Sequence, residues 1–160
     1  MKWQIYQADY ANRKDAQAIL GLLDHYARDP MGGGEPLSQY VLDNLIENLQ
    51  HTTGAFSVLG FHDQLPVGLA NCFQSFSTFK CRPIVNIHDL IVRDNYRGKG
   101  LANALLQSIQ EIAKERGSCK LTLEVLEGNH QAKYVYQKFG FNAYELDPEK
   151  GNAMFWEKMI

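Results

Sequence analysis

Apolar and polar residues alternate through "KWQIYQA", the period-two pattern of a strand with one buried face. The period then lengthens. In "NRKDAQAILGLLDHYARD", Ala16, Ile19, Leu20, Leu23 and Tyr26 fall at helical spacing, so an amphipathic helix is expected after the strand. "DPMGGGEPLSQ" interrupts with prolines and glycines, and "SQYVLDNLIENLQH" restores the helical period through Val41, Leu42, Leu45, Ile46 and Leu49. The Gly-rich segment is therefore expected to be a loop between two helices. "GAFSVLGFHDQLPVGLANCFQSFSTF" reads as two strands joined at "HDQLP", and "RPIVNIHDLIV" as a further strand. A long helix is expected from Gly98 to about Arg116, with Leu101, Leu105, Ile109, Ile112 and Ala113 on one stripe and Gly117 as its C-cap. "CKLTLEVL" then alternates as a strand, "NHQAKYVYQKFG" forms a short helix capped by Asn129, and "FNAYEL" and "AMFWEKMI" close the chain as two strands.

The resulting order, β-α-α-β-β-β-α-β-α-β-β, sets antiparallel hairpins before one parallel βαβ unit. A doubly wound sheet does not have that order, so the expected class is α/β of the α+β type. At 160 residues the chain is expected to be one domain, residues 1–160, since a chain of ~150 residues buries roughly 70% of its unfolded surface.

The junction "IHDLIVRDNYRGKGLANALLQSI" carries the first candidate chemistry. A strand that leads through a Gly-rich turn into a helix start gathers unpaired backbone N–H groups and the positive end of the helix dipole at one point. Gly98 and Gly100 let an anion approach the backbone, and Arg97 and Lys99 add charge, so a phosphate or pyrophosphate fits. The same residues also suit an ordinary βα turn that is merely basic. Spacing narrows the ligand. A dinucleotide fingerprint needs a third glycine where Asn103 stands, and a P-loop needs Ser or Thr where Gly100 follows Lys99, so both are disfavoured.

Composition changes this picture little. The formal net charge of −2 gives no electrostatic reason to expect nucleic acid or an anionic membrane. Cys72, Cys81 and Cys119 are widely spaced without a C-x-x-C pair, which supports neither a disulfide framework nor a metal site. No apolar run approaches the ~18 residues of a spanning helix, and "MKWQIYQADY" lacks the apolar core of a signal peptide. A cytoplasmic protein with free thiols is the expectation.

What remains at the junction is Arg97-x-x-Gly100-x-Ala102, the spacing Q/R-x-x-G-x-G/A, and here the sequence resembles the GNAT superfamily of acetyl-CoA-dependent N-acetyltransferases. Downstream, "EVLEGNHQAKYVYQKFGF" resembles the superfamily's second signature through Asn129, Ala132, Tyr136, Gly140 and Phe141. The two signatures lie in the right order on the expected element types. Arg97 stands where Gln is commoner, and Ala102 where Gly is commoner. The strand before the turn further resembles the branch of diamine, polyamine (spermidine/spermine) and thialysine acetyltransferases, although His88-Asp89 replaces that branch's Glu-Asp.

The resemblance implies a GNAT-like fold: a central mixed, mostly antiparallel sheet, splayed near the cofactor site and flanked by helices. It also implies that acetyl-CoA lies with its pyrophosphate on Gly98, Lys99, Gly100, Leu101, Ala102 and Asn103, with Arg97 oriented toward it and the pantetheine arm running along Leu90, Ile91 and Val92. A β-bulge in that strand would free an N–H for the thioester oxygen, a donor of the kind typically worth ~3 kcal/mol of barrier. Asn129 is expected to cap its helix, to bond the pantetheine, or both. Tyr136, protonated at neutral pH as an ordinary phenol, is the expected acid for the departing thiolate.

His88 occupies the position of the branch's carboxylate, and an ordinary imidazole can take up a proton near neutrality, which makes it the candidate base, with Asp89 and Glu124 relaying through water or holding the ammonium. A strand histidine bonded to a neighbour and a solvated glutamate are the competing readings. Glu35, in the loop that lines the acceptor cleft of this fold, is a further candidate for a cationic amine. The acceptor expected from the branch is a small primary amine, namely a polyamine, diamine or lysine-like amino acid, with peptide or protein amines as the alternative. The branch also implies a homodimer, to which "AMFWEKM" could contribute. A CoA-binding regulatory module without turnover is the competing class, disfavoured by the presence of Tyr136 together with His88 and Asp89.

Overall fold

The computed structural model describes residues 1–145 and 147–160. They form two compact units, residues 1–123 and 124–160. The first holds β1 (Gln4–Gln7), α1 (Arg13–Ala27), α2 (Gln39–His51), β2 (Ala55–His62), β3 (Leu65–Ser77), β4 (Arg82–Val92), α3 (Leu101–Glu115) and β5 (Leu121–Leu123). The second holds α4 (His130–Phe139). The five strands form one sheet in the order β1-β2-β3-β4-β5, antiparallel throughout except for the parallel β4–β5 pair. This is the mixed, mostly antiparallel sheet that the sequence predicts. Among the described residues, no helix is long and apolar enough to cross a membrane.

Adjacent residues on a strand face opposite ways, and the sheet uses both faces. Leu59, Phe61, Leu69 and Ile91 point to one side and pack with Ala18, Ile19 and Leu22 of α1 and Leu49 of α2. Gly60 and Gly68 point to the other. A Cβ at Gly60 would lie 2.9 Å from Leu101 Cδ1, and one at Gly68 would lie 3.0 Å from Leu105 Cδ1, so the missing side chains let α3 sit close on the sheet. Leu101, Leu105, Leu106 and Ile109 are fully buried on that face. Leu106 joins the stripe expected from sequence, whereas Ile112 is only half-buried. A second tie secures the α1 side: the buried Asp15 accepts from Tyr6 Oη and from the Asp9 N–H, both at 2.9 Å. Burial and the Asp15 carboxylate push the Tyr6 phenol up to about 12, so it remains a donor.

Several boundaries differ from the sequence reading. The β2–β3 hairpin turns on Asp63 and Gln64 alone rather than on "HDQLP", with both residues at positive φ, the two-residue turn whose twist suits a hairpin. The long helix starts at Leu101, because Gly98 and Gly100 adopt left-handed backbone and a short 3₁₀ turn at Asp94–Tyr96 precedes them. Gly117 follows the C-cap residue Arg116. It donates to Lys114 O while Ser118 donates to Ala113 O, the paired closure of a Schellman motif.

β5 covers only Leu121–Leu123, so Glu124 lies past its end and is exposed. "FNAYEL" and "AMFWEKMI" are not strands: among the described residues the first contributes Glu145 to a single bridge, with Asn152 just before the second, and Leu146 lies outside the described residues. Alternation of side chains alone cannot make a strand where backbone pairing is missing.

Leu105 is fully buried where α3 meets the sheet at Gly68. Leu105→Ala is expected to lower unfolding free energy by about 2–5 kcal/mol, measured by urea denaturation, with the denaturant slope unchanged.

Candidate functional site

The site grows from an irregularity in β4. On β3, Asn71 stands opposite Asp89 and Cys72 opposite Ile87, so His88 is an extra residue in the β4 ladder. Its effect on the backbone follows from two hydrogen bonds. Val85 N donates to Lys120 O at 3.2 Å, so at that end the odd-numbered residues face β5. Arg93 N donates to Val67 O at 2.9 Å, so beyond the bulge the odd-numbered residues face β3, and the N–H and C=O groups of Leu90 and Val92 point away from it. The parallel ladder with β5 stops at Ile87–Leu123, just before this switch. Arg97 Nε reaches the outward carbonyl of Val92 at 3.2 Å.

The bulge also gathers side chains. Phe73 stands opposite Asn86, and its ring meets that of His88 edge-on with centroids 5.6 Å apart. Asp89 Oδ2 accepts from Asn71 Nδ2 at 2.9 Å. Asn71 and Phe73 are two apart on β3 and share a face, so His88 and Asp89, though adjacent in sequence, lie on the α1 side together. His88 is exposed and Asp89 half-buried. Burial, and after it the Asp89 charge, raises the Tyr26 phenol at the end of α1, which places that ring within electrostatic reach of the carboxylate.

Behind Asp89, the buried Asn71 Oδ1 accepts from Ser57 Oγ at 2.7 Å, and Ser57 Oγ lies 2.9 Å from Tyr10 Oη. Burial pushes the Tyr10 phenol and the Cys72 thiol up, the latter with help from the Asp89 charge.

The turn after β4 supplies the second half. Asn12, Ser38 and Asn129 each cap their helix by accepting a backbone N–H, but α3 begins at Gly100 with no side-chain cap bond. The N–H groups of Leu101, Ala102 and Asn103 open its first turn. Gly98 and Gly100, at φ +72 and +86, have nothing within 4 Å of the position a Cβ would take. An uncapped helix start lined by glycines without neighbours is a cradle that a phosphate fits.

The basic side chains beside the cradle are engaged with the protein. Lys99 Nζ donates to Asn95 O at 2.7 Å and lies over the Tyr96 ring. Arg97 binds Asp94 Oδ1 at 2.9 Å and Asp29 Oδ2 at 3.3 Å. The Met31 N–H, and then Arg97, hold the Asp29 carboxyl below the usual carboxylate range. The first inter-helix loop is thereby fastened to the turn. Glu35 of that loop is exposed, its backbone N–H donating to Ala27 O at 3.1 Å.

In the second unit, Asn129 Oδ1 accepts from Ala132 N at 3.1 Å, which makes it the cap of α4. Tyr136 is half-buried with its ring edge-on to Phe141, while Tyr134 is 66% exposed.

Asn71, Ser57, Tyr10, Tyr26 and Asp29 escape the sequence reading. A signal for the first two was present, since "FSVLGF" and "GLANCF" each set one polar residue in an apolar strand, where a polar group must find a partner.

Comparison with known proteins gives the site a context. The model of the Acetyltransferase (GNAT) family matches residues 19–141. The glucosamine 6-phosphate N-acetyltransferase of Trypanosoma brucei brucei is 31% identical over 134 residues, 82% of this chain and 85% of that protein. The thialysine N-epsilon-acetyltransferase of Bos taurus is 34% identical over 85 residues, 53% of this chain, and the chain spans about half of that enzyme (48%). In fold, the chain resembles AAC(6')-Iy solved with the bisubstrate analogue CoA-S-monomethyl-acetylneamine, at a TM-score of 0.78 and 17% identity over 100% of both chains.

If the cradle receives phosphate, a branched Cβ at Gly100 obstructs it, and φ +86 adds backbone strain. Gly100→Val is expected to melt lower than the parent and to show no rise in Tm with acetyl-CoA, whereas the parent's Tm rises. A rise equal to the parent's contradicts the cradle.

Proposed function

The chain belongs to the GNAT family of acetyltransferases, and from that premise we propose that it moves an acetyl group from acetyl-CoA to a primary amine of a small molecule, by direct attack in a ternary complex. The observation that carries the amine half is the bulge at His88, which turns an imidazole and a carboxylate to one face where β4 parts from β5. We assign residues 1–160 to one N-acetyltransferase domain. The family model and the trypanosomal alignment support this, because the residues matched run from the first compact unit into the second.

The chain's own groups divide the work. The N–H groups from Gly98 to Asn103 hold the pyrophosphate, and the outward backbone of Leu90 and Val92, flanking Ile91, pairs with the pantetheine arm. Acetyl-CoA supplies an activated acyl group as a thioester. A backbone N–H at the bulge stabilises charge on the carbonyl oxygen, and holding the amine against the carbonyl removes much of the entropic barrier. Arg97 exchanges its carboxylate partners for the pyrophosphate. Asp89 binds the ammonium, with Glu35 and Glu124 as further acidic groups for the acceptor, and His88 takes its proton directly or through water.

Tyr136 donates to the leaving sulfur. Between an unperturbed phenol and an unperturbed thiol such a transfer is uphill by about 2 kcal/mol, a small cost that reprotonation of the phenolate from solvent removes.

The acceptor class follows from Asp89. A carboxylate held by Asn71 next to His88, whose ring meets Phe73, suits a cation, which favours a polyamine, diamine or lysine-like amine. The thialysine enzyme's similarity supports that class, and the glucosamine 6-phosphate enzyme's similarity makes amino sugars the competing acceptors. The branch also implies a homodimer, and a cytoplasmic setting remains part of the proposal on the cysteine spacing. The strong exposure of Met154, Phe155 and Trp156 supports a contact there.

A CoA-release assay over diamines, monoamines, amino acids, amino sugars and peptides tests the reading. Turnover is expected to be fastest with diamines, and Tyr136→Phe is expected to lower kcat by ~100-fold or more with little change in the KM for acetyl-CoA. CoA binding without turnover on any amine contradicts the proposal in favour of a regulatory module. Fastest turnover on peptides contradicts the acceptor class.

A further inference from the structure

Four polar groups run in series through the α1 side of the sheet: Tyr10 Oη, Ser57 Oγ, the Asn71 amide and Asp89 Oδ2, at steps of 2.9, 2.7 and 2.9 Å. Ser57 is fully buried and Asn71 is 3% exposed. Their proton order is fixed by chemistry. A carboxylate only accepts, so Asn71 must turn its NH₂ toward Asp89 and its carbonyl toward Ser57. Ser57 has one proton, and that proton goes to the Asn71 carbonyl. Tyr10 must then be the donor to Ser57. Each bond therefore donates toward Asp89, and in a buried setting such bonds polarise one another in the same sense.

The arrangement does more than satisfy polar groups. Asp89 follows the bulge residue, where strand alternation no longer fixes which way the side chain turns. Asn71, directly opposite in the ladder, supplies the missing constraint by holding Oδ2 and thus the plane of the carboxylate. Three strands contribute, because Ser57 lies on β2, Asn71 on β3 and Asp89 on β4. Burial keeps the Tyr10 phenol protonated over the neutral range, so the head of the series stays a donor.

We propose that Asn71 and Ser57 are positioning residues for the amine acceptor, forming with Tyr10 a one-way donor series that sets the carboxylate of Asp89 toward a cationic amine. This rests on the assignment of Asp89 to the acceptor. The series acts on amine affinity and leaves the acetyl-CoA cradle alone, since none of its members contributes to the turn at Gly98–Asn103. It also gives a graded expectation: the nearer a lost donor lies to Asp89, the larger the effect.

The test is a double-mutant cycle read in the Michaelis constant for the diamine putrescine. Ser57→Ala is expected to raise that constant about threefold or more, and Asn71→Ala about tenfold or more, each with an unchanged KM for acetyl-CoA. In an Asp89→Asn background, Ser57→Ala is expected to add nothing. Tyr10→Phe should show the smallest effect of the three, and thermal melting identifies any variant too destabilised to compare. An unchanged diamine KM in Ser57→Ala, or the same increase in both backgrounds, overturns the proposal, because a merely structural role acts regardless of Asp89. If the parent turns over no amine at all, the acetyl-transfer reading fails, and calorimetric titration with putrescine still decides the series. Weaker binding by Ser57→Ala supports it, and equal binding, or none by the parent, overturns it.

Discussion

The extra residue in β4 is the constraint on which the rest of the site depends. A regular strand would keep the same backbone edge toward β5 along its length, and Leu90 and Val92 would then direct their amides and carbonyls into the β3 ladder. One inserted residue reverses that, because the side-chain and hydrogen-bonding periods of a strand are both two. At His88 the chain changes which neighbour its odd-numbered residues address, and the ladder with β5 ends at the same place. A single irregularity thus produces an outward-facing stretch of backbone and a pair of adjacent polar side chains on one face.

The remainder of the first unit holds that irregularity in place. α3 lies against Gly60 and Gly68 through Leu101 and Leu105, so the start of the helix is set by how closely it meets the sheet. Its uncapped first turn follows β4 through a short path of turn residues and left-handed glycines. On the opposite face, α1 and α2 bury Leu59, Leu69 and Ile91. Arg97 joins the two regions, taking carboxylates from the inter-helix loop and from the turn while touching the Val92 carbonyl. The inter-helix loop and the turn before α3 therefore share one guanidinium.

Most of the first unit was legible in the sequence. β4 spans Arg82–Val92 as the alternation of "RPIVNIHDLIV" predicts, α1 and α2 follow their apolar periods, and in the second unit α4 follows its Asn129 cap. Three things were not legible, each for a physical reason. Register is a relation between two strands, so the bulge at His88 does not show in β4 alone. The Tyr10–Ser57–Asn71–Asp89 series joins residues up to 47 positions apart along a single step, and only the sheet brings them together. The terminal segments "FNAYEL" and "AMFWEKMI" alternate like strands, but alternation reports side-chain burial and carries no information about a partner for the backbone. The candidate cofactor residues sit where local chemistry decides, in a glycine turn before a helix, and such a site can be read from sequence. The proposed acceptor residues sit where packing decides, and there the sequence offered His88, Asp89, Glu35 and Glu124 but not the supporting Tyr10, Ser57 and Asn71.

On the proposed reading the acyl donor is held mainly by backbone, with Arg97 the one side chain added, at two places: the outward stretch of β4 after the bulge and the uncapped start of α3. Amide chemical shifts of the ¹⁵N-labelled protein, followed while acetyl-CoA is added, address it directly. The largest shifts are expected on Leu101, Ala102 and Asn103 at the helix start and on Leu90 and Val92 of β4, with Ile91, whose N–H faces β3, moving less. Shifts confined to other parts of the chain, or saturation by acetyl-CoA with these five amides unmoved, contradict it.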